Sequence, residues 1–137
     1  MKVLVAEDEP GMRLALTAVV DLEPSLELAG TAADAEEAIA FARALDPDVC
    51  LLDVRMPLGG GAYATRGMAE QAPRTRVVAL SGLQDRETVL GMLDAGAAGY
   101  LVKGATPSEL VDAIHAAARV ERRFSDQVRD LAPDPPV

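Results

Sequence analysis

The sequence predicts an α/β domain, a doubly wound five-stranded parallel sheet with helices on both faces. Three observations predict it. Five short apolar stretches alternate with five segments of helical period. The connections between them are short, so parallel strands are expected to join through right-handed crossovers. The 137 residues suit one core and are too few for two. Half of the residues are hydrophobic but only 3% are aromatic, so the core is expected to be close-packed Ala, Val, Leu and Ile.

Lys2 to Ala6 is a nearly continuous apolar run, as expected of a strand covered on both faces. Pro10 then suits the first turn of a helix whose inward residues are Met12, Leu16, Val19 and Val20, stopped by Pro24. Leu26 to Thr31 reads as a second strand, less apolar and so nearer an edge. Asp34 with Glu37 three residues on opens a helix with the stripe Ala38, Ile39, Ala42 and Leu45. Val49 to Leu52 is the third strand, with Asp53 at its carboxyl end, and Pro57 to Gly61 is a sharp loop before a helix from about Ala62 to Gln71. Arg76 to Leu80 is the fourth strand, left at Ser81 and Gly82. Asp85 is placed to cap a helix carrying Val89, Leu90 and Leu93 that stops at Ala95 and Gly96. Gly99 to Val102 is the fifth strand, with Lys103 just beyond it. Thr106, Pro107 and Glu109 then start a helix presenting Leu110, Val111, Ile114 and Ala117. Residues 1–122 are read as one domain and 123–137, rich in proline, as a linker or tail.

Charge narrows the function. Lys and Arg number 13 against 22 Asp and Glu, a net −9, which opposes binding of nucleic acid or an anionic membrane by this chain alone. No apolar run is long enough to span a bilayer, and the opening MKVLVAEDEP lacks the zones of a signal peptide, so a cytoplasmic location is expected. The single Cys50 lies in an apolar run and reads as a buried, unpaired thiol.

Sites in open parallel sheets form beyond the carboxyl ends of the strands. Glu7 and Asp8 follow the first strand, Asp53 the third, Ser81 the fourth and Lys103 the fifth. Crowded carboxylates raise one another's pKa unless a cation joins them, and Mg²⁺ is the hard oxygen-seeking ion of choice. Phosphoryl transfer needs a nucleophilic oxygen, a metal and donors for the moving group. Here Asp53 is the candidate nucleophile, and Glu7 and Asp8 hold the metal directly or through water. Ser81 donates a hydroxyl, Lys103 pairs with phosphoryl oxygens or with Asp53, and the backbone near Arg55 completes the site. Taken singly each residue has a plainer explanation, such as a helix-start acid, a turn or a surface charge. Their joint occurrence at strand ends favours the chemical reading.

These residues carry a family resemblance. The acidic pair, DVRMP from Asp53 to Pro57, the SG pair at Ser81, and GYLVK closing at Lys103 resemble the receiver domain of two-component response regulators over Lys2 to Val120. The stretch GAAGYLVKGATPSELVDAIHAA is most similar to the NarL/LuxR type. The resemblance implies a flavodoxin-like (βα)5 fold, a sensor histidine kinase as phosphoryl donor and Asp53 as acceptor. It also implies Mg²⁺ held with help from the Arg55 carbonyl. On phosphorylation Ser81 moves and Tyr100 swings inward, changing the surface of the fourth helix, fifth strand and fifth helix, through which the family also leads one to expect a homodimer. Glu7 stands where many relatives have aspartate, Ser81 replaces a commoner threonine, and Gly60 lies where an acid often precedes the loop glycine. Arg55 and Leu83 are placed to govern water access to the acyl phosphate.

Two other readings stand beside this one. An aspartyl-phosphate phosphohydrolase wants a second acid close behind the nucleophile, where Val54 and Arg55 stand, and a flavin module is disfavoured by the scarcity of aromatics to flank its ring. The glycines at 59–61 are followed by no Lys-Ser or Lys-Thr pair, which rules out a P-loop. His115 is read as structural, and the basic cluster of Arg119, Arg122 and Arg123 as complementing a helix end. The resemblance also leads one to expect a DNA-binding output domain beyond the linker, with a stand-alone regulator as the alternative.

Overall fold

The computed structural model describes residues 1–82 and 86–120. Its strands are β1 (Lys2–Ala6), β2 (Glu27–Ala32), β3 (Val49–Asp53), β4 (Arg76–Ser81) and β5 (Gly99–Val102), all parallel in the order β2-β1-β3-β4-β5. Between and after them run α1 (Pro10–Leu22), α2 (Ala35–Leu45), α3 (Gly60–Gln71), α4 (Arg86–Ala95) and α5 (Pro107–Ala118). The expected class is the one found.

The two-residue period of the strands divides the core into two layers. Val3 and Val5 of β1, Val49 and Leu51 of β3, and Val78 and Leu80 of β4 face Leu16 and Val20 of α1 and Leu110, Ile114 and Ala117 of α5. The alternate residues Leu4, Ala6, Cys50, Leu52, Val77 and Ala79 face Ala38, Ile39 and Ala42 of α2, Ala64 and Met68 of α3, and Met92 of α4. Alanine dominates this second layer, and small side chains let the helices lie close to the sheet. Cys50 is fully buried, and burial pushes its thiol up to about 12, so it remains protonated.

Helix ends follow local chemistry. Thr106 and Glu109 form a complete capping box, with Pro107 in the first turn. Asp34 caps α2 through the Glu37 amide, but the Glu37 carboxylate reaches back to Ala33 rather than to Asp34. At α1 the cap is Glu9, whose carboxylate accepts from Gly11 and Met12. The loop before α3 is entered through Leu58, Gly59 and Gly60, all at positive φ, and at Gly61 an added Cβ would lie 2.7 Å from the Val54 Cα. A side chain other than hydrogen is therefore disfavoured at Gly60 by φ and at Gly61 by space.

Several expectations shift. β2 starts and ends one residue later than expected, and α3 begins at Gly60 rather than about Ala62. Leu45, expected in the core, is 40% exposed, because it ends α2 over the edge strand β2, where its Cδ1 lies against Gly30. In α4 the buried residues are Met92 and Ala95, while Leu90 is exposed and Val89 and Leu93 are only partly covered. α4 packs mainly against α3, which covers only a thin stripe of it. The expectations for Leu83, Asp85, Arg122, Arg123 and the 123–137 tail lie outside the described residues.

Candidate functional site

The strand order reverses between β1 and β3: from β1 the chain first moves to β2, then returns past β1 to β3 and onward. Their connections diverge at the carboxyl ends and leave a crevice there. Glu7 directly follows β1, Asp53 ends β3, Ser81 ends β4 and Lys103 directly follows β5. Backbone bonds carry the sheet register into these positions. The Glu7 amide donates to the Ala32 carbonyl (2.9 Å), Val54 to Leu80 (3.0 Å) and Lys103 to Ser81 (2.7 Å).

The side chains converge. The Lys103 ammonium lies 3.2 Å from Asp53 Oδ2 and 3.3 Å from Glu7 Oε1. One carboxylate oxygen from each of Glu7, Asp8 and Asp53 lies within 4.8 Å of the others. Glu7 and Asp53 are buried, whereas Asp8 is exposed at the mouth. The Arg55 amide donates to Asp53 Oδ1 (3.1 Å) and the Glu9 amide to Glu7 Oε2 (3.1 Å), each fixing a carboxylate plane. Ser81 is buried beside them, and Tyr100, half-buried on β5, packs against the layer that holds Met92 and Ala79.

The electrostatics are uneven. Burial pushes Glu7 up to about 7, helped by the neighbouring Asp53 and opposed by the Glu9 amide and Lys103. For Lys103, burial alone would lower the pKa, but Asp53 and Glu7 together hold it above the ordinary lysine value. Glu7 Oε1 is buried and makes no hydrogen bond, its contact being the ion pair with Lys103 at 3.3 Å. A buried oxygen that makes no hydrogen bond, among three carboxylates that share one lysine and open on the Asp8 side, fits a hard divalent cation.

Glu7, Asp8, Asp53 and Lys103 gather at this rim, the Arg55 amide joins them, and Ser81 ends the neighbouring strand, whereas Tyr100 lies on β5 against the core. Two residues were missed. Glu9 proves to be the α1 cap, and Arg13 of α1 donates from Nη1 to the carbonyls of Glu7 (2.8 Å) and Asp8 (3.4 Å). The signal for Arg13 was a lone cation five and six residues after two acids, a spacing that brings a helical side chain back over the strand end. His115 bonds through Nε2 to the Ser25 hydroxyl (2.9 Å), far along the chain from these residues.

Fold and site together define a class, a two-component signalling domain. Residues 3–115 match the response regulator receiver domain, and the chain belongs to that family. The transcriptional regulatory protein YxjL of Bacillus subtilis is 38% identical over 90% of this chain. The response regulator GacA of Pseudomonas syringae is 39% identical over 93%. The signal receiver domain of a Mycobacterium tuberculosis NarL superposes with a TM-score of 0.84 at 33% identity, covering 88% of this chain and 97% of that one. The chain spans 57% of the length of YxjL and 60% of GacA. Among the described residues no helix is long and apolar enough to cross a membrane.

Proposed function

We propose that this chain is a phosphorylation-dependent receiver in which Asp53 accepts a phosphoryl group from a sensor histidine kinase. The carrying observation is the Lys103 bridge to the buried Asp53 and Glu7 within a three-carboxylate cluster, one of whose buried oxygens makes no hydrogen bond. An Asp53 oxygen forms a bond to phosphorus while the bond from phosphorus to the donor breaks, its electron pair leaving with the donor. Mg²⁺, when bound, would neutralise charge on the moving group. Glu7, Asp8, Asp53 and the Arg55 carbonyl would hold that ion. Arg55 N–H already orients the acceptor through Oδ1. Lys103, released from its pairing with Asp53, would follow the new phosphoryl oxygens, and the Ser81 hydroxyl would donate to another.

The added charge and acceptor oxygens then draw Ser81 toward the group. Tyr100, partly buried against the core layer, would swing inward and alter the α4–β5–α5 surface, with homodimer formation as one outcome. Because both conformations pre-exist, the modification needs to supply only a few kcal/mol. YxjL, a transcriptional regulatory protein, and GacA, a response regulator, are each matched over only part of their length, which supports reading this receiver as one part of a longer transcription regulator; on this proposal it is the N-terminal part and works in the cytoplasm. On this reading the receiver itself binds no nucleic acid and no membrane, and its only catalysis is its own phosphorylation and dephosphorylation.

The test is incubation with acetyl phosphate and Mg²⁺ followed by intact mass. The parent is expected to gain one phosphoryl group, and Asp53→Asn none. Equal labelling of both would remove Asp53 as acceptor, and multiple turnover of phosphate monoesters at ordinary enzymatic rates would favour a hydrolase.

A further inference from the structure

We propose that Arg13 is a positioning residue for the acidic pocket, holding the two peptide groups that carry Glu7 and Asp8. Its Nη1 donates to the Glu7 carbonyl at 2.8 Å and, more weakly, to the Asp8 carbonyl at 3.4 Å. The Arg13 amide, meanwhile, bonds the Glu9 carbonyl at 2.9 Å, so one residue grips three successive carbonyls of the β1–α1 turn. Those peptides set the Cα–Cβ directions of both carboxylates. The Glu7 amide is already tied to Ala32 and its Oε2 to the Glu9 amide, which leaves the carbonyl side as the remaining freedom of that residue.

The choice of acceptors matters. Among the described residues Arg13 forms no ion pair with any carboxylate, although three of them lie in the adjoining cluster. Bonded to carbonyls, the guanidinium braces the loop without consuming a metal-binding oxygen. A lysine in its place keeps a charge and mobile donors, whereas methionine keeps the length and loses every donor.

The inference rests on reading Glu7 and Asp8 as metal-holding residues, and the experiment separates the two. Mg²⁺ alone is titrated into the parent, Arg13→Met and Arg13→Lys by calorimetry, with thermal melting of each. Loss of positioning is expected to weaken Mg²⁺ binding by roughly tenfold in Arg13→Met, the low end for groups that orient ligands, with Arg13→Lys restoring most of it. A purely through-space effect predicts the opposite, since removing a cation would tighten binding. A merely structural role predicts a lower melting temperature with unchanged affinity. Either result overturns the proposal. A parent that binds no Mg²⁺ would instead defeat the reading of the pocket. Should Arg13→Met fail to fold, nitrogen-15 arginine spectra of the parent decide. Arg13 Nη protons protected from exchange are expected, and freely averaging ones would refute the bracing.

Discussion

Replacing Glu7 with glutamine should stabilise the metal-free protein at about pH 8 and leave it unchanged at about pH 4. The Glu7 side chain is fully buried and its Oε1 lacks a hydrogen bond, so ionisation in place is unfavourable. Burial pushes its pKa from 4.5 to about 7. At about 1.4 kcal/mol per unit this amounts to about 3 kcal/mol. The sign follows from proton binding. Between 4.5 and 7 the folded chain holds a proton that the unfolded chain has released, so stability present below 4.5 is lost as the pH rises through 7. Glutamine mimics the protonated carboxyl and keeps an oxygen for the Glu9 amide, so the variant escapes that loss. The assay is urea unfolding in EDTA across this pH range, followed by circular dichroism because the chain has no tryptophan. A midpoint that rises in the variant only above about pH 5, with unchanged slope, is expected. A variant less stable than the parent at pH 8, or a difference independent of pH, would refute the burial account. Adding Mg²⁺ should narrow or reverse the difference, since the parent gains a ligand for its carboxylate and the variant does not.

Gly61→Ala should lower stability by about 1–3 kcal/mol in denaturant unfolding, because its Cβ would meet the Val54 Cα at 2.7 Å and displace the turn behind Asp53. Thr106→Ala removes the acceptor for the Glu109 amide and should cost about 1 kcal/mol by thermal melting, with the fold retained. Ile114→Ala empties a fully buried position between α5 and the sheet and should cost about 2–5 kcal/mol in the same measurement. Little loss there would mean that α5 packs more loosely than the core implies.

The alternation of apolar stretches and helical segments was enough to place each strand and helix among the described residues, because a five-stranded parallel sheet leaves each element a simple, repeated environment. The caps at Asp34 and Thr106 were equally legible, since they depend on atoms three residues apart. Less was legible at the margins. Leu45 and Leu90 share the helical period of core residues, yet Leu45 lies over the edge strand β2 and Leu90 on a helix that packs mainly against α3, and neither finds enough surface to cover it. Periodicity reports which side of a helix is apolar, and it is silent on how wide the opposing surface is.

The candidate site divides in the same way. Residue types and their positions at strand ends were enough to nominate Glu7, Asp8, Asp53, Ser81 and Lys103, because a parallel sheet brings its carboxyl ends to one rim whatever lies between them. Only the tertiary structure decided that Lys103 touches both Asp53 and Glu7, that one buried Glu7 oxygen makes no hydrogen bond, and that Arg13 grips the backbone beneath the acids. Those facts depend on ångström distances between residues up to 96 positions apart, from Glu7 to Lys103, set by strand register and helix packing. Chemistry that acts between neighbours in sequence can be read along the chain, but charge in a buried space depends on what else is packed there.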